Sequence, residues 1–219
     1  KHKGISYFLL DMKSPGVTVR PLVNMANTLG FNEVFFEDVR IPKKDLLGEE
    51  NQGWYIATTT LDFERSSIGA AMAQVNAVED LVQFVREWRD GDGANVESSV
   101  KAELADRAVE TQAARLLSLR VASLQARGSV PNYEASIAKL YASELSQRVA
   151  QTGLRLIGLY GLLDRDRAAG PKAAANRWAP LKGRLLRGYL WSPAITIAGG
   201  TSEIQRGIIA IRGLRLPRG

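Results

Sequence analysis

The sequence contains no cysteine and only one histidine, His2, among its 219 residues. The lack of cysteine excludes disulfide frameworks, thiolate catalysis, iron–sulfur clusters and cysteine-ligated zinc. A single histidine beside the N-terminus argues against a Ser-His-Asp triad and against a metal site built from several histidines, and we expect no metal. No apolar run reaches the roughly 18 residues of a membrane span, and no stretch resembles a signal peptide. We therefore expect a cytoplasmic protein without a membrane-spanning helix.

Positive charge is concentrated in the last quarter of the chain. The net charge is +6, and residues 171–219 hold nine lysines or arginines against one acid, Glu203. Such a segment suits nucleic acid, an anionic membrane or a phosphate-rich small molecule, while solvated helix faces explain it equally well. Because the segment has no recognisable nucleic-acid-binding motif, we expect no nucleic-acid partner.

The first fifty residues have the pattern of β-strands. Apolar or alternating runs predict strands at Ile5–Leu10, Val17–Leu22 and Glu33–Ile41. Three strands make only part of a sheet, and their exposed edges need a cover. This segment therefore has the character of the end of a larger β domain.

From about Asn51 the apolar residues recur with the 3.6-residue period of an α-helix. The pattern predicts helices at residues 51–90 and 97–128, a third between Pro131 and Gly158, and further helices at Asn176–Trp191 and Thr201–Ile211. On the second helix it predicts an inward face of Leu104, Ala108, Leu116, Leu119 and Leu124. Long helices joined by short loops indicate a bundle. We predict a mainly α fold, an antiparallel four-helix bundle with a short β-sheet remnant at the N-terminus, divided into domains 1–50 and 51–219.

Two glycines followed by hydroxyl side chains make the stretch from Gly199 to Glu203 a candidate site. Gly199 and Gly200 allow close backbone approach, and the free N–H groups of the helix that follows suit a pyrophosphate or a carbonyl oxygen. The alternative is an ordinary helix start capped by Thr201 or Ser202.

Carboxylates on the first long helix give a second candidate. Glu64 stands near the seam between the apolar residues Leu61 and Ile68. A carboxylate partly buried among apolar groups has a raised pKa and becomes a usable proton acceptor. The alternative is that Asp62, Glu64 and Arg65 form ordinary ion pairs on a helix surface.

Three blocks of the sequence resemble the C-terminal part of the acyl-CoA dehydrogenases. They are Lys3–Pro21, Phe31–Trp54 and Ile197–Arg206 with the ending Leu216-Pro217-Arg218, in the family's order and spacing. The resemblance spans the whole chain but a little over half of the usual family length. It implies that the chain is a C-terminal fragment, or a partial subunit whose partner supplies the remainder.

The resemblance also implies an activity. In this family FAD lies between a β domain and the helical bundle, and a glutamate removes the pro-R α-proton of an acyl-CoA while the β-hydrogen leaves as hydride. The product is a trans-2-enoyl-CoA. The implied partners are the acyl-CoA substrate, further copies in a homodimer or homotetramer, and electron-transfer flavoprotein as the acceptor.

Family positions carry over residue by residue. The usual place of the base is Gly199, which cannot accept a proton, so the resemblance implies Glu64, whose position before Arg65 matches a minority of the family. It places Asp62, Arg65 and Gly200 at the acyl-CoA. It places Thr201, Ser202, Glu203 and Gly158 at FAD.

Two departures weaken the expected FAD site. The family's Arg-x-Phe is replaced around Asp90-Gly91-Asp92, and the glutamine of its Gln-x-x-Gly-Gly element is Arg155. Similar losses occur in a branch of the family that includes mixed-subunit pairs. The alternative function is therefore a non-catalytic helical oligomerisation subunit of a mixed dehydrogenase complex.

Overall fold

The computed structural model describes residues 2–64, 68–90, 98–164 and 178–217, with side chains for all of these except 61–64, 68 and 88–90. The chain divides into two compact units, Lys1–Glu64 and Arg65–Gly219. The predicted domain boundary at residue 50 marks the change from strand to helix. Helix α1 (Gly53–Glu64) follows that boundary but belongs to the first compact unit. The division into domains 1–50 and 51–219 stays a prediction.

The first unit contains two short antiparallel ladders. Strand β1 (Tyr7–Phe8) pairs with β4 (Leu46–Leu47), and β2 (Val17–Leu22) pairs with β3 (Phe31–Phe36). The predicted third strand ends at Phe36 rather than at Ile41, because Asp38 adopts a left-handed φ of 49° that breaks the extended run.

Two close backbone contacts fix this unit, and both require glycine. A β-carbon on Gly16, whose φ is 87°, would lie 2.1 Å from the carbonyl oxygen of Glu37. A β-carbon on Gly53 would lie 2.6 Å from the backbone carbon of Ser6, because the Gly53 N–H donates to the Ile5 carbonyl at 2.7 Å. Helix α1 is thereby held against the start of β1.

The second unit is a bundle built around one central helix. Its helices are α2 (Ile68–Asp90), α3 (Ser98–Ala126), α4 (Tyr133–Ile157), α5 (Arg184–Ile195) and α6 (Ser202–Ile208). Helix α4 packs against each of the other four. Ion pairs from Glu103 to Arg155 and from Glu110 to Arg148 show that α3 and α4 run antiparallel, since the residue numbers rise in one helix as they fall in the other.

The structure is 63% helical and retains a small antiparallel β remnant, which confirms the predicted fold class. The core joins Leu81 of α2, Leu104 and Ala114 of α3, and Leu145 and Val149 of α4. None of the helices in the described ranges is both long and apolar enough to cross a bilayer.

The observed helix boundaries agree best with the predicted ones where turn residues flank the helix. Helices α3 and α4 lie within two residues of their predicted bounds. Within the predicted helix over residues 51–90, the structure has two helices, α1 and α2. The predicted Asn176–Trp191 helix begins later, at Arg184, because Leu181 and Lys182 take left-handed φ values of 48° and 56° just before it.

The predicted inner face of α3 is wrong at two positions. Leu116 and Leu119 are 63% and 41% exposed, whereas Thr111, Ala114 and Ser118 are buried. Helix α4 also buries mostly small residues, among them Ala135, Ala138 and Ser143. Small side chains on both faces let the two helices approach closely, so the larger leucines of α3 lie outside the contact.

Candidate functional site

Residues 199–203, here called the glycine turn, connect the segment after α5 to the start of α6. Gly199 and Gly200 have φ values of 69° and 97°, in the left-handed region that favours glycine. The buried side chain of Gln205 reaches back across the turn, and its Nε2 donates to the carbonyls of Gly199 at 2.9 Å and Gly200 at 3.3 Å. The first turn of α6 thus holds the backbone that precedes it.

Thr201 caps α6, in agreement with the capping interpretation. Its Oγ1 accepts a hydrogen bond from the Ile204 N–H at 3.3 Å. Ser202 is buried, and its N–H donates to the Thr196 carbonyl at 3.1 Å. The cap satisfies one backbone donor and leaves the rest of the turn open to other partners.

The glycine turn keeps three backbone donors available. Within the described residues no acceptor is found for the N–H of Gly199, Gly200 or Thr201. A β-carbon on Gly199 would have no neighbouring atom within 4 Å, so this position faces open space. Backbone N–H groups beside open space fit an oxygen-rich ligand such as a dinucleotide or a thioester.

A lysine from α4 completes the support of the turn. Lys139 Nζ donates to the Gly200 carbonyl at 2.7 Å. Burial lowers the pKa of Lys139, and the carboxylates of Glu144 and Glu203 oppose that effect. Arg206 of α6 pairs with Glu144 of α4 at 2.6 Å, which docks the two helices beside this contact. Sequence reasoning missed Lys139, Gln205 and this ion pair, because no periodic pattern relates residues some sixty positions apart.

Glu203 is exposed, and its carboxylate is held in the ionised form. A hydrogen bond from its own backbone N–H lowers the pKa of Glu203, and a hydrogen bond from the Thr201 side chain lowers it further. Since a general base works best with a pKa near the operating pH, this environment makes Glu203 a weak proton acceptor.

The predicted catalytic group lies in the first unit. Asp62 and Glu64 belong to the last turn of α1, with Glu64 as its final residue. Their side chains, and the whole of Arg65, lie outside the described residues. The roles of Glu64, Asp62 and Arg65 therefore remain predictions.

Gly158 is not near the glycine turn within this chain. It ends α4 with a φ of 64°, 19 residues after Lys139, which corresponds to about 28 Å along an α-helix. Three residues earlier, Arg155 forms an ion pair with Glu103, which also accepts a hydrogen bond from Thr152 at 2.7 Å. The two predicted parts of the FAD site thus lie at opposite ends of α4.

The comparisons with known proteins identify the same family. Residues 51–214 match the family described as "Acyl-CoA dehydrogenase, C-terminal domain". The whole chain is 32% identical over 218 residues to the acyl-CoA dehydrogenase FadE34 of Mycobacterium tuberculosis, of which it covers 27%.

Two solved structures are similar over 100% of the chain. One is the Tcur3481-Tcur3483 steroid ACAD, with a TM-score of 0.83, 25% identity and 53% of that chain covered. The other is the ChsE4-ChsE5 complex of Mycobacterium tuberculosis, with a TM-score of 0.77, 28% identity and 55% of that chain covered. The sequence therefore spans between about a quarter and about half of these proteins.

Proposed function

The chain belongs to the acyl-CoA dehydrogenase family, and we propose that it forms the C-terminal part of a cytoplasmic, FAD-dependent enzyme that oxidises an acyl-CoA to a trans-2-enoyl-CoA. The observation that carries this proposal is the glycine turn. It lies inside the matched region, residues 51–214, and it offers three N–H donors whose backbone is held by side chains of α4 and α6.

Glu64 is proposed as the base that accepts the α-proton of the substrate. The usual family position, Gly199, has no side chain, and the nearby Glu203 has a lowered pKa. A carboxylate at the end of α1 is the remaining candidate that the resemblance supplies. Asp62, Arg65 and Gly200 are proposed to contact the acyl-CoA beside it.

Thr201, Ser202, Glu203 and Gly158 are proposed to contact FAD. The donor set of the glycine turn fits the oxygens of a dinucleotide. When bound, FAD supplies the acceptor for the hydride that leaves the β-carbon. Because Gly158 lies about 28 Å along α4 from Lys139, it would contact either the far end of the same FAD molecule or the FAD of a second copy.

The chain's own residues have two tasks in this proposal. Glu64 takes the proton, and the turn orients the reacting groups through fixed backbone donors. Electron-transfer flavoprotein is the proposed electron acceptor. Homodimers or homotetramers are the proposed assembly, with a mixed-subunit pair as an alternative because the similar ChsE4-ChsE5 structure is a complex.

A non-catalytic helical subunit is the second candidate function. The observation that favours it is Arg155, which stands in the place of the family's glutamine and is already paired with Glu103. A cationic group that is already paired with a carboxylate contributes less to binding a phosphate than a free one. In this alternative the bundle serves assembly, and the catalytic site belongs to a partner subunit.

One experiment separates the two candidates. The full-length protein is purified with added FAD and mixed anaerobically with straight-chain and steroid acyl-CoAs, the latter because a similar structure is a steroid ACAD. Loss of flavin absorbance with formation of an enoyl-CoA supports the dehydrogenase. Absence of both FAD binding and α-proton exchange, restored by a co-expressed partner, supports the non-catalytic subunit.

A further inference from the structure

Lys139 is unusual among the basic residues of the bundle in what it binds. It is partly buried between α4 and the glycine turn, and its described hydrogen bond goes to a backbone carbonyl, that of Gly200, at 2.7 Å. Other basic side chains of the second unit, such as Arg148 and Arg184, pair with carboxylates. A buried ammonium group is costly without a partner, so this contact has a specific structural role.

The neighbouring carboxylates do not account for the position of Lys139. Glu144 lies close enough to influence its pKa, but that carboxylate binds Arg206 at 2.6 Å. Glu203 is occupied by its own N–H and by Thr201. The ammonium group is therefore directed at the backbone of the glycine turn.

Two donors from different helices converge on one oxygen. Lys139 of α4 and the fully buried Gln205 of α6 both donate to the Gly200 carbonyl. The peptide unit that joins Gly200 to Thr201 is planar, and its C=O and N–H point in opposite directions. Holding the carbonyl toward Lys139 therefore fixes the Thr201 N–H in the direction away from it.

Glycine cannot fix this direction by itself. Gly200 has a φ of 97° and no side chain, so its flanking peptide planes rotate at low cost. We propose that Lys139 is a positioning residue of the reaction: with Gln205 it locks the Gly200–Thr201 peptide plane, so that the Thr201 N–H is presented in one direction to the bound cofactor or substrate. The catalytic part of this inference rests on the proposed function, whereas the structural part does not.

Hydrogen–deuterium exchange of the full-length protein tests the structural part. Lys139→Met keeps the aliphatic stem and removes the donor. Loss of a hydrogen bond from a charged group should destabilise the turn enough that exchange of the hydrogen-bonded amides of residues 202–205 accelerates about tenfold or more. Lys139→Arg, which keeps a donor, should restore part of the protection. The matched control is Lys101→Met on the exposed face of α3, which should leave exchange in the turn unchanged.

Flavin reduction by acyl-CoA tests the catalytic part. In Lys139→Met, assayed with FAD at saturation, the limiting rate should fall about tenfold or more, since small misplacements of positioning groups have effects up to about a hundredfold. If the wild-type protein itself is inactive, the proposed function fails, and the exchange data still decide whether Lys139 holds the turn.

Three outcomes would overturn the inference. Unchanged exchange of the amides of residues 202–205 would show that Lys139 does not hold the turn. Exchange accelerated equally throughout α2, α3 and α4 would show a general loss of stability. Faster exchange in the turn with an unchanged limiting rate would show that the locked peptide plane has no part in the reaction.

Discussion

The Nε2 atom of Gln205 lies 2.6 Å from the point that a β-carbon on Gly200 would occupy. The Gln205 side chain is fully buried and has little room to move. Gly200→Ala therefore combines a steric clash with a left-handed backbone, and we expect it to lower the free energy of unfolding by about 1–3 kcal/mol. Chemical denaturation of the full-length protein measures this change.

Gly207, the second-last residue of α6, is the matched control for Gly200. A β-carbon there would meet no atom within 4 Å, and alanine is favoured over glycine inside a helix by about 1 kcal/mol. We expect Gly207→Ala to be neutral or stabilising. If both variants behaved alike, the close contact between Gly200 and Gln205 would not be the cause.

Replacing the proposed base should strongly slow flavin reduction and leave the fold intact. Glu64→Gln keeps the size of the side chain but cannot accept a proton, so flavin reduction should slow about 10²–10⁴-fold. Anaerobic stopped-flow absorbance measures the rate, and the FAD content of the variant should match the wild type. Glu79→Gln, at an exposed position of α2, is the control; an unchanged rate in Glu64→Gln would eliminate Glu64 as the base.

A carboxylate at position 199 should restore part of the lost activity. The double variant Glu64→Gln, Gly199→Glu places the base where most of the family has it, and a side chain at Gly199 enters open space. Recovery should be incomplete, because the φ of 69° strains any residue other than glycine by about 1–2 kcal/mol. The assay is again flavin reduction by acyl-CoA. A double variant as inactive as Glu64→Gln would indicate that the two positions do not face the same α-carbon.

A buried ion pair should stabilise α5 far more than an exposed one. Arg187 pairs with Asp164, whose side chain is only 3% exposed, and also donates to the Lys182 carbonyl at 2.8 Å. Asp164→Asn should cost about 3–5 kcal/mol, because it leaves a partly buried charge without its partner. Asp80→Asn, which breaks the exposed pair with Arg184, should cost about 0–1 kcal/mol. Equal losses in chemical denaturation would contradict this ranking.

Acid should weaken the start of α6 through Glu203. Its hydrogen bonds lower its pKa below the usual 4.5 in the folded protein. Between the folded and the unfolded pKa of Glu203, the unfolded chain therefore binds more protons than the folded protein. The stabilisation that the ionised Glu203 contributes is thus present above pH 4.5 and is lost as the pH falls through the lower, folded pKa. Glu203→Gln lacks the effect, so the Tm difference between wild type and variant should shrink from about pH 6 to about pH 3. A Tm difference that stays constant over this pH range would contradict it.

The elements that sequence predicts well are those whose signal is local. Helices α3 and α4 have clear apolar periodicity and glycine or proline at their ends, and the cap at Thr201 follows from its place before a short amphipathic run. The sequence predicts too early a start for α5, because Leu181 and Lys182 adopt a left-handed backbone that is not signalled by a glycine at either position.

The inner face of α3 and the support of the candidate site depend on packing between distant segments. Leu116 and Leu119 follow the apolar period, yet small residues on α3 and α4 decide which faces meet. Lys139 contributes to the site because α4 places it beside Gly200. A lysine in the interior of a helical segment does not indicate in the sequence which backbone carbonyl it will bind. Sequence therefore predicts which helices form, while contacts between helices decide which side chains serve the site.

The central position of α4 indicates an order in which the helices of the second unit assemble. Helices α3 and α4 are joined by a short connection and run antiparallel, so their contacts close early and at small entropic cost. Helix α6 has seven residues and docks through pairs such as Glu144 with Arg206, 62 positions apart. We therefore expect α6 to dock after the pair of α3 and α4 has formed, and to undock without unfolding that pair. On this expectation, the apparent affinity of any ligand that contacts the glycine turn includes the free energy of ordering α6.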